Sequence, residues 1–167
     1  ISTDVKKIIS YAKKKKIIII EDNCEALGAK FKSKHLGTYG DFGTYSFFYS
    51  HQITCGEGGM IVCNNENDYK ILLSLRSHGW SRGKKVYQEN AKKFPNLDPR
   101  YIFINSGFNL RPTDIQAAIG RNQLKRLNLF KRIRKDNKQK IIAKLQKDSR
   151  WKNQFKFVEY PKTIDAS

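Results

Sequence analysis

The pattern of apolar and polar positions over residues 4–20 predicts a helix followed by a buried strand. Four apolar residues recur at helical spacing over residues 4–14: Val5, Ile8, Ile9 and Ala12. Lysines 13–16 suit the C-terminal end of that helix, where the dipole favours cations. The β-branched run Ile17–Ile20 is typical of a strand buried on both faces. A helix that leads directly into such a strand indicates an α/β protein with a mainly parallel sheet.

Further strands and a helix are expected over the middle of the chain. The glycine-rich residues 28–44 predict a short hairpin or a meandering loop. Thr44–Tyr49 and Met60–Cys63 are expected as strands, and Glu66–Arg76 as an amphipathic helix.

The last part of the chain is expected to be mostly helical after a long connection. Residues 78–100 are polar, weakly patterned and closed by two prolines, so we expect a long loop there. Pro112 suits the first turn of a helix that extends to about Leu129. A second helix is expected over residues 131–147, and Trp151–Val158 begins a further element.

Composition excludes an integral membrane protein and suggests an intracellular one. No apolar run approaches the ~20 residues that span a bilayer, and residues 1–20 lack the pattern of a signal peptide. We therefore expect a cytoplasmic protein with no membrane partner. Met60 is the only methionine and the chain opens on Ile1, so we also expect a piece of a longer protein.

The chain is strongly basic, with 33 Lys and Arg against 15 Asp and Glu and a formal charge of +18. Nucleic-acid binding is one interpretation of such a charge. The cations are mostly lysines on a predicted helix surface, whereas base recognition favours arginine with interleaved aromatic residues. We therefore expect no nucleic-acid partner, and a field of this sign would also favour a negatively charged small molecule.

Cysteine spacing argues against a disulfide framework and against a zinc site. Cys24, Cys55 and Cys63 make an odd number and include no CxxC pair. Free thiols are the expectation, and no metal site is predicted.

Three polar residues lie close in sequence to predicted strand ends, where open α/β sheets bind ligands. They are Asp22 after the isoleucine run, Ser46 in the next strand, and His51 in the glycine-rich segment beyond it. Each has an ordinary structural explanation as well: a turn cap, a strand position and a satisfied loop histidine. Spacing alone leaves the functional and the structural interpretations open.

Five sequence blocks favour the functional interpretation of these residues over the structural one. They are residues 20–29 (IEDNCEALGA), 40–48 (GDFGTYSFF), 56–62 (GEGGMIV), 76–80 (RSHGW) and 107–118 (GFNLRPTDIQAA). In this order they resemble the DegT-type family of nucleotide-sugar aminotransferases and dehydratases. The resemblance covers roughly residues 17–130. It implies the aspartate-aminotransferase-like fold type I, with the C-terminal half of the large domain over 1–110. Linking helices and the start of a small α+β domain would follow over 111–167.

The resemblance also implies a cofactor, pyridoxal 5'-phosphate or pyridoxamine 5'-phosphate, and residues that hold it. Asp22 matches the aspartate that pairs with the pyridine nitrogen, and Ser46 the serine that hydrogen-bonds the phosphate. Asn109 matches an asparagine that reaches the phosphate from the partner subunit, which implies a homodimer. Glu25 falls where many members place Gln or His against the ring, so the sequence departs from the commoner pattern there.

His51 is the main departure from the aminotransferase pattern. In the aminotransferases, the residue five positions after the matching serine is the lysine that forms the Schiff base with the cofactor. Imidazole forms no stable imine, but with an unperturbed pKa near 6.5 it is suited to general acid–base catalysis. Within the family, histidine at this position marks the sugar 3-dehydratases. These act on a nucleotide-linked 4-keto-6-deoxy sugar, with glutamate as amino donor.

Other functions remain open from the sequence. A sugar aminotransferase that uses a lysine from elsewhere would fit most of the blocks, and so would an inactive remnant. One branch of 3-dehydratases uses a [2Fe–2S] cluster, which needs four cysteine ligands. Residues 64–167 contain no cysteine, so the glutamate-dependent branch, as in colitose biosynthesis, is favoured.

Overall fold

The computed structural model describes residues 5–81, 84–151, 153–159 and 161–166. The chain divides into two compact units, one made of residues 1–62 and 114–167 and the other of residues 63–113. Some of the sequence predictions include residues that lie outside the described ones: Asp4, Arg82, Gly83 and Lys152.

The first unit contains most of the strands and the two long helices near the C-terminus. Its elements are α1 (Val5–Lys15), β1 (Ile20–Asp22), β2 (Lys30–Phe31), β3 (Lys34–His35), β4 (Phe42–Ser46), β5 (Gly59–Cys63), α4 (Asp114–Leu124), α5 (Leu127–Lys147) and β6 (Ile164–Asp165). The second unit contains α2 (Glu66–Leu75), α3 (Lys84–Lys93) and a 3-10 turn at Pro99–Tyr101.

The sheet that positions the site has three strands in the order β1-β4-β5. β1 and β4 are parallel, with Ile20 opposite Phe42 and Asp22 opposite Thr44. The parallel pairing confirms the predicted α/β class, and the carboxyl ends of β1 and β4 therefore meet at one edge of the sheet. A second sheet, in the order β3-β2-β6, is antiparallel and contains the predicted hairpin.

The core of the first unit lies between the β1-β4-β5 sheet and α5. Leu27, Tyr45 and Ile53 form its buried centre, and Leu127 and Phe130 of α5 pack against it. On α1, the buried residues Val5 and Ala12 lie on the predicted apolar face.

The predicted strand at Ile17–Ile20 is shifted and its burial is wrong. The strand begins only at Ile20, and the side chains of Ile18 and Ile20 are 69% and 65% exposed. The physical reason is that burial of a strand depends on elements packed against its faces, and the described elements leave most of Ile18 and Ile20 uncovered. The isoleucine run therefore lacks the two covered faces that its composition predicts.

Several other predictions differ from the structure. The strand expected at Thr44–Tyr49 runs over Phe42–Ser46. Beyond it, the N–H of Phe48 donates to the side chain of Ser46 at 3.2 Å instead of to a neighbouring strand, and a turn follows at residues 49–50. The loop expected over residues 78–100 contains α3. That helix is rich in Lys, Gln, Glu and Ala, so helix propensity forms it without a strong apolar face.

The C-terminal helices also have different bounds. The helix after Pro112 begins at Asp114 and ends at Leu124, and the next begins at Leu127 rather than at residue 131. The described residues of Trp151–Val158 form neither a helix nor a strand. No helix within the described part of the chain has the length and apolar character of a membrane span.

Candidate active site

The carboxyl ends of β1 and β4 bring Asp22 and Thr44 together. The two residues are direct partners in the parallel register, and Oδ1 of Asp22 lies 3.4 Å from Oγ1 of Thr44. Ser46 lies two residues beyond Thr44 on β4, so the alternation of a strand puts their side chains on the same face. The other face carries the buried Gly43 and Tyr45. The structure thus places the predicted residues Asp22 and Ser46 on one polar face at a sheet edge.

Asp22 is held in its charged form. The thiol and the backbone N–H of Cys24, together with the hydroxyl of Thr44, donate to its carboxylate and lower the pKa of Asp22 below its ordinary 3.8. The backbone hydrogen bond from Cys24 to Oδ1 measures 3.1 Å. The hydrogen bond between the Cys24 thiol and the Asp22 carboxylate raises the pKa of that thiol. An exposed carboxylate that stays ionised can pair with a cation such as a protonated ring nitrogen.

Glu21 fixes the loop that leads into β4. One carboxylate accepts three backbone N–H groups, from Gly37 at 2.7 Å and from Tyr39 and Gly40 at 2.6 Å each. The backbone carbonyl of Glu21 in turn accepts the side-chain amide of Asn23 at 2.9 Å. Because Glu21 immediately precedes Asp22, these contacts fix the backbone that presents the Asp22 carboxylate.

Gly43 and Gly37 allow a close backbone approach beneath this site. A Cβ on Gly43 would overlap the carbonyl group of Gly37. Gly37 itself has φ of +89°, a conformation that favours glycine. The loop over residues 37–43 can therefore fold tightly against β4 only with glycine at these two positions.

His51 lies in the turn that follows β4, against the segment that follows Asp22. Its Nε2 is 3.0 Å from Oε1 of Glu25, and the His51 side chain is 13% exposed against 79% for Glu25. Nδ1 of His51 is buried and has no hydrogen-bond partner among the described residues. The ring also makes an edge contact with Phe48, with 5.9 Å between centroids. The outward nitrogen of His51 is therefore Nε2, the one that Glu25 contacts.

Gln52 ties the His51 turn to the Glu25 segment a second time. Gln52 is buried, with 6% of its surface exposed. Its side-chain amide donates to the backbone carbonyl of Glu25 at 2.7 Å. Glu25 is thus held at its carbonyl by Gln52 and at its carboxylate by His51. The structure brings the predicted residues His51 and Glu25 into direct contact.

Asn109 belongs to the second unit, where two of the sequence blocks pair with each other. Asn109 forms an isolated antiparallel bridge with Ser77. On either side of it, His78 N–H donates to Phe108 O at 2.7 Å and Leu110 N–H donates to Arg76 O at 2.9 Å. The backbone around Asn109 is therefore held firmly by the residue 76–80 block.

Sequence reasoning did not single out Glu21, Thr44 or Gln52 as supports of the site. Glu21 and Thr44 lie inside the quoted blocks, so their positions were available. What the sequence lacks is the loop geometry: three amides converge on Glu21 only after residues 37–40 fold back. For Gln52, the sequence contains no indication of a supporting role apart from its position next to His51.

Comparisons with known proteins agree with the blocks. The chain matches the DegT/DnrJ/EryC1/StrS aminotransferase family over residues 1–156. It is 42% identical over 132 residues to a GDP-4-keto-6-deoxy-D-mannose 3-dehydratase of Escherichia coli O55:H7, covering 78% of this chain and 34% of that protein. It is 35% identical over 127 residues to a GDP-perosamine synthase of Escherichia coli O157:H7, covering 76% and 31%.

A solved structure confirms the fold. The E. coli GDP-4-keto-6-deoxy-D-mannose-3-dehydratase with bound hydrated pyridoxal phosphate matches with a TM-score of 0.70 at 35% identity. That match covers 86% of this chain and 38% of the other. The chain thus spans about a third of the length of the curated relatives it matches.

Proposed function

The chain belongs to the DegT/DnrJ/EryC1/StrS aminotransferase family, and on that premise we propose that it carries part of the active site of a sugar-nucleotide 3-dehydratase. The reaction would remove the C3 oxygen of a nucleotide-linked 4-keto-6-deoxyhexose. The observation that carries the proposal is His51, which stands after β4, beside Glu25, where the resemblance expects a Schiff-base lysine in an aminotransferase.

The residues at the two strand ends fit a pyridoxal or pyridoxamine phosphate cofactor. Asp22 offers an exposed carboxylate with a lowered pKa, which is the partner that a protonated pyridine nitrogen needs. Ser46 offers a half-buried hydroxyl on the same face of β4 as Thr44, suited to a phosphate oxygen. When bound, pyridoxamine phosphate supplies the amine that condenses with a ketone and a ring that accepts electrons.

His51 would supply the acid–base chemistry. Nε2 faces outward, toward the carboxylate of Glu25, and can hold or release a proton there. His51 would take a proton from the amine-bearing carbon that condenses with the ketone, and the electron pair left there would replace the pair that departs with the C3 oxygen. His51 would also give a proton to the C3 hydroxyl, which would leave as water. A lysine at this position would also form a covalent bond with a pyridoxal aldehyde, whereas an imidazole keeps the proton chemistry without that bond.

Further parts of the proposal extend beyond the chain's own geometry. Asn109 would reach the cofactor phosphate across the interface of a homodimer, and Glu25 would also lie near the cofactor ring. Glutamate would serve as amino donor, and the protein would act in the cytoplasm on lipopolysaccharide O-antigen sugars. The domain boundary near residue 110 belongs to the same proposal.

Similarity supports a dehydratase and also favours one rival. A relative at 42% identity is named as a 3-dehydratase of GDP-4-keto-6-deoxy-D-mannose, and a relative at 35% identity as a GDP-perosamine synthase. The rival is therefore a sugar aminotransferase, in which a lysine from another part of the full-length protein would hold the cofactor.

Product analysis separates the two functions. The full-length protein is incubated with pyridoxal phosphate, glutamate and GDP-4-keto-6-deoxymannose, and the sugar product is weighed by mass spectrometry. The dehydratase predicts a product that has lost one oxygen and gained no nitrogen. A product in which an amine replaces the carbonyl would show an aminotransferase instead, and the absence of any product would contradict both activities on this substrate.

A further inference from the structure

Glu25 contacts His51 in a way that the resemblance to the family does not imply. The resemblance places Glu25 against the cofactor ring, whereas the structure places its carboxylate 3.0 Å from Nε2 of His51. A carboxylate has no hydrogen of its own, so at this distance it accepts the hydrogen that Nε2 carries. The contact therefore specifies both the orientation of the imidazole and which nitrogen bears the hydrogen.

The two ring nitrogens of His51 have different surroundings. Nδ1 is buried and lacks a hydrogen-bond partner among the described residues. Nε2 faces the exposed side, where Glu25 is 79% exposed. A partner on the outer nitrogen can therefore determine which ring nitrogen carries the hydrogen. Glu25 is that partner.

The backbone of Glu25 is held in place. Its backbone carbonyl accepts the amide of the buried Gln52 at 2.7 Å, and it lies in the segment that follows the turn in which Cys24 N–H donates to Asp22. These contacts join the turn after β1 to the turn after β4. Because the backbone of Glu25 is held by Gln52, its exposed carboxylate loses less conformational freedom when it contacts Nε2 of His51.

We propose that Glu25 is a positioning residue for His51: its carboxylate orients the imidazole, keeps the hydrogen on Nε2, and ties the His51 turn to the segment that carries Asp22. The consequence for catalysis rests on the proposed function, but the contact itself does not. The two are therefore tested by different measurements.

The test is the rate at which diethyl pyrocarbonate acylates His51 in the full-length protein, followed by peptide mass spectrometry. This reagent attacks an unprotonated imidazole nitrogen, so a partner on the accessible nitrogen slows it. His35 and His78, both exposed, are internal controls in the same digest. No substrate is needed, so the result stands whatever the product assay shows.

Removal of the carboxylate should release His51 alone. In Glu25→Ala, His51 should react about fivefold faster, as expected from the loss of one net hydrogen bond, while His35 and His78 keep their rates. Glu25→Gln retains an acceptor oxygen and should give an intermediate rate. Glu57→Ala, which removes an exposed glutamate from the same unit, should leave the His51 rate unchanged.

Two results would overturn the proposal. One is an unchanged His51 rate in Glu25→Ala, which would mean that the carboxylate does not hold the ring. The other is an equal rise at all three histidines, which would mean that the substitution loosens the fold generally and has no specific effect on His51.

Discussion

Asp22 lies directly opposite Thr44 in the parallel pairing of β1 and β4, with Oδ1 of Asp22 3.4 Å from Oγ1 of Thr44. This register places the carboxylate beside the polar face that also carries Ser46. The same sheet edge receives His51 and Glu25 from the turns that follow the two strands. The candidate site is thus a product of one pair of parallel strands and the turns at their ends.

Replacing Asp22 with Asn should weaken binding of pyridoxamine phosphate by at least about tenfold, because a charge-assisted hydrogen bond becomes a neutral one. Fluorescence titration of the full-length protein measures this. Asp136→Asn, on the exposed face of α5, is the matched control and should bind normally. Equal affinity in Asp22→Asn and the wild type would remove Asp22 from the cofactor site.

The charge of Asp22 also predicts how binding depends on pH. Its pKa is lowered from 3.8 by the contacts from Cys24, so the carboxylate is ionised throughout the range from about pH 5 to pH 8. Cofactor affinity, measured as the pH is lowered, should therefore show no midpoint near pH 5 that is due to Asp22. A midpoint due to Asp22 would be present in the wild type and absent in Asp22→Asn. Such a midpoint would mean that Asp22 has a raised pKa.

Replacing Glu21 with Gln should destabilise the protein, because one amide oxygen cannot satisfy the three backbone N–H groups that the carboxylate accepts. We expect a loss of about 1–3 kcal/mol in the free energy of unfolding, measured by urea denaturation of the full-length protein. Glu57→Gln should stay within about 0.5 kcal/mol of the wild type. Equal stability of the two variants would contradict the anchoring role of Glu21.

Replacing Gly43 with Ala should be poorly tolerated, because the new methyl group would overlap the backbone carbonyl of Gly37. Backbone cannot move aside as a side chain can, so we expect a loss of about 1–3 kcal/mol or more. Gly120→Ala is the matched control: its Cβ would lie 3.7 Å from Cys55, an ordinary contact, within α4. That substitution should be neutral or slightly stabilising.

The ion pair between Lys131 and Asp165 predicts an acid-dependent contribution to stability. Nζ of Lys131 lies 2.6 Å from Oδ2 of Asp165, and this hydrogen bond lowers the pKa of Asp165. A lowered pKa stabilises the fold above the ordinary value of 3.8, and the contribution is lost as the pH falls through the lowered pKa. Because Asp165 is about half exposed, the ion pair should contribute at most about 1 kcal/mol to the free energy of unfolding.

Urea unfolding at a series of pH values tests this contribution. Wild type should be the more stable protein near neutrality, and Asp165→Asn should converge with it toward pH 2. A constant difference between the two proteins across this range would show that the pair does not contribute through its charge.

The structure brings several residues of the predicted site together, whereas it shifts or replaces some of the predicted elements around them. The family-like blocks located Asp22, Ser46, Glu25 and His51, and the structure brings Asp22 and Ser46 to one face and Glu25 into contact with His51. Their chemical roles stay predictions. The contact between Glu25 and His51 could not be read from spacing, because it depends on how the two turns fold over the sheet edge.

The failures among the elements have two physical causes. The composition of the Ile17–Ile20 run predicts a doubly buried strand, but burial depends on the elements packed against its faces, and the described elements leave Ile18 and Ile20 exposed. Apolar periodicity does not predict α3, because Lys84–Lys93 has few apolar residues and consists mostly of residues with high helix propensity.

The rate at which the full-length protein forms deoxygenated sugar, compared with that of His51→Asn, tests the central claim most directly. The matched control is His35→Asn, at an exposed histidine of the hairpin. The account predicts that wild type and His35→Asn release a keto sugar lacking one oxygen, and that His51→Asn does so about 10²–10⁴-fold more slowly. An amino sugar from the wild type, or an undiminished rate in His51→Asn, would contradict it.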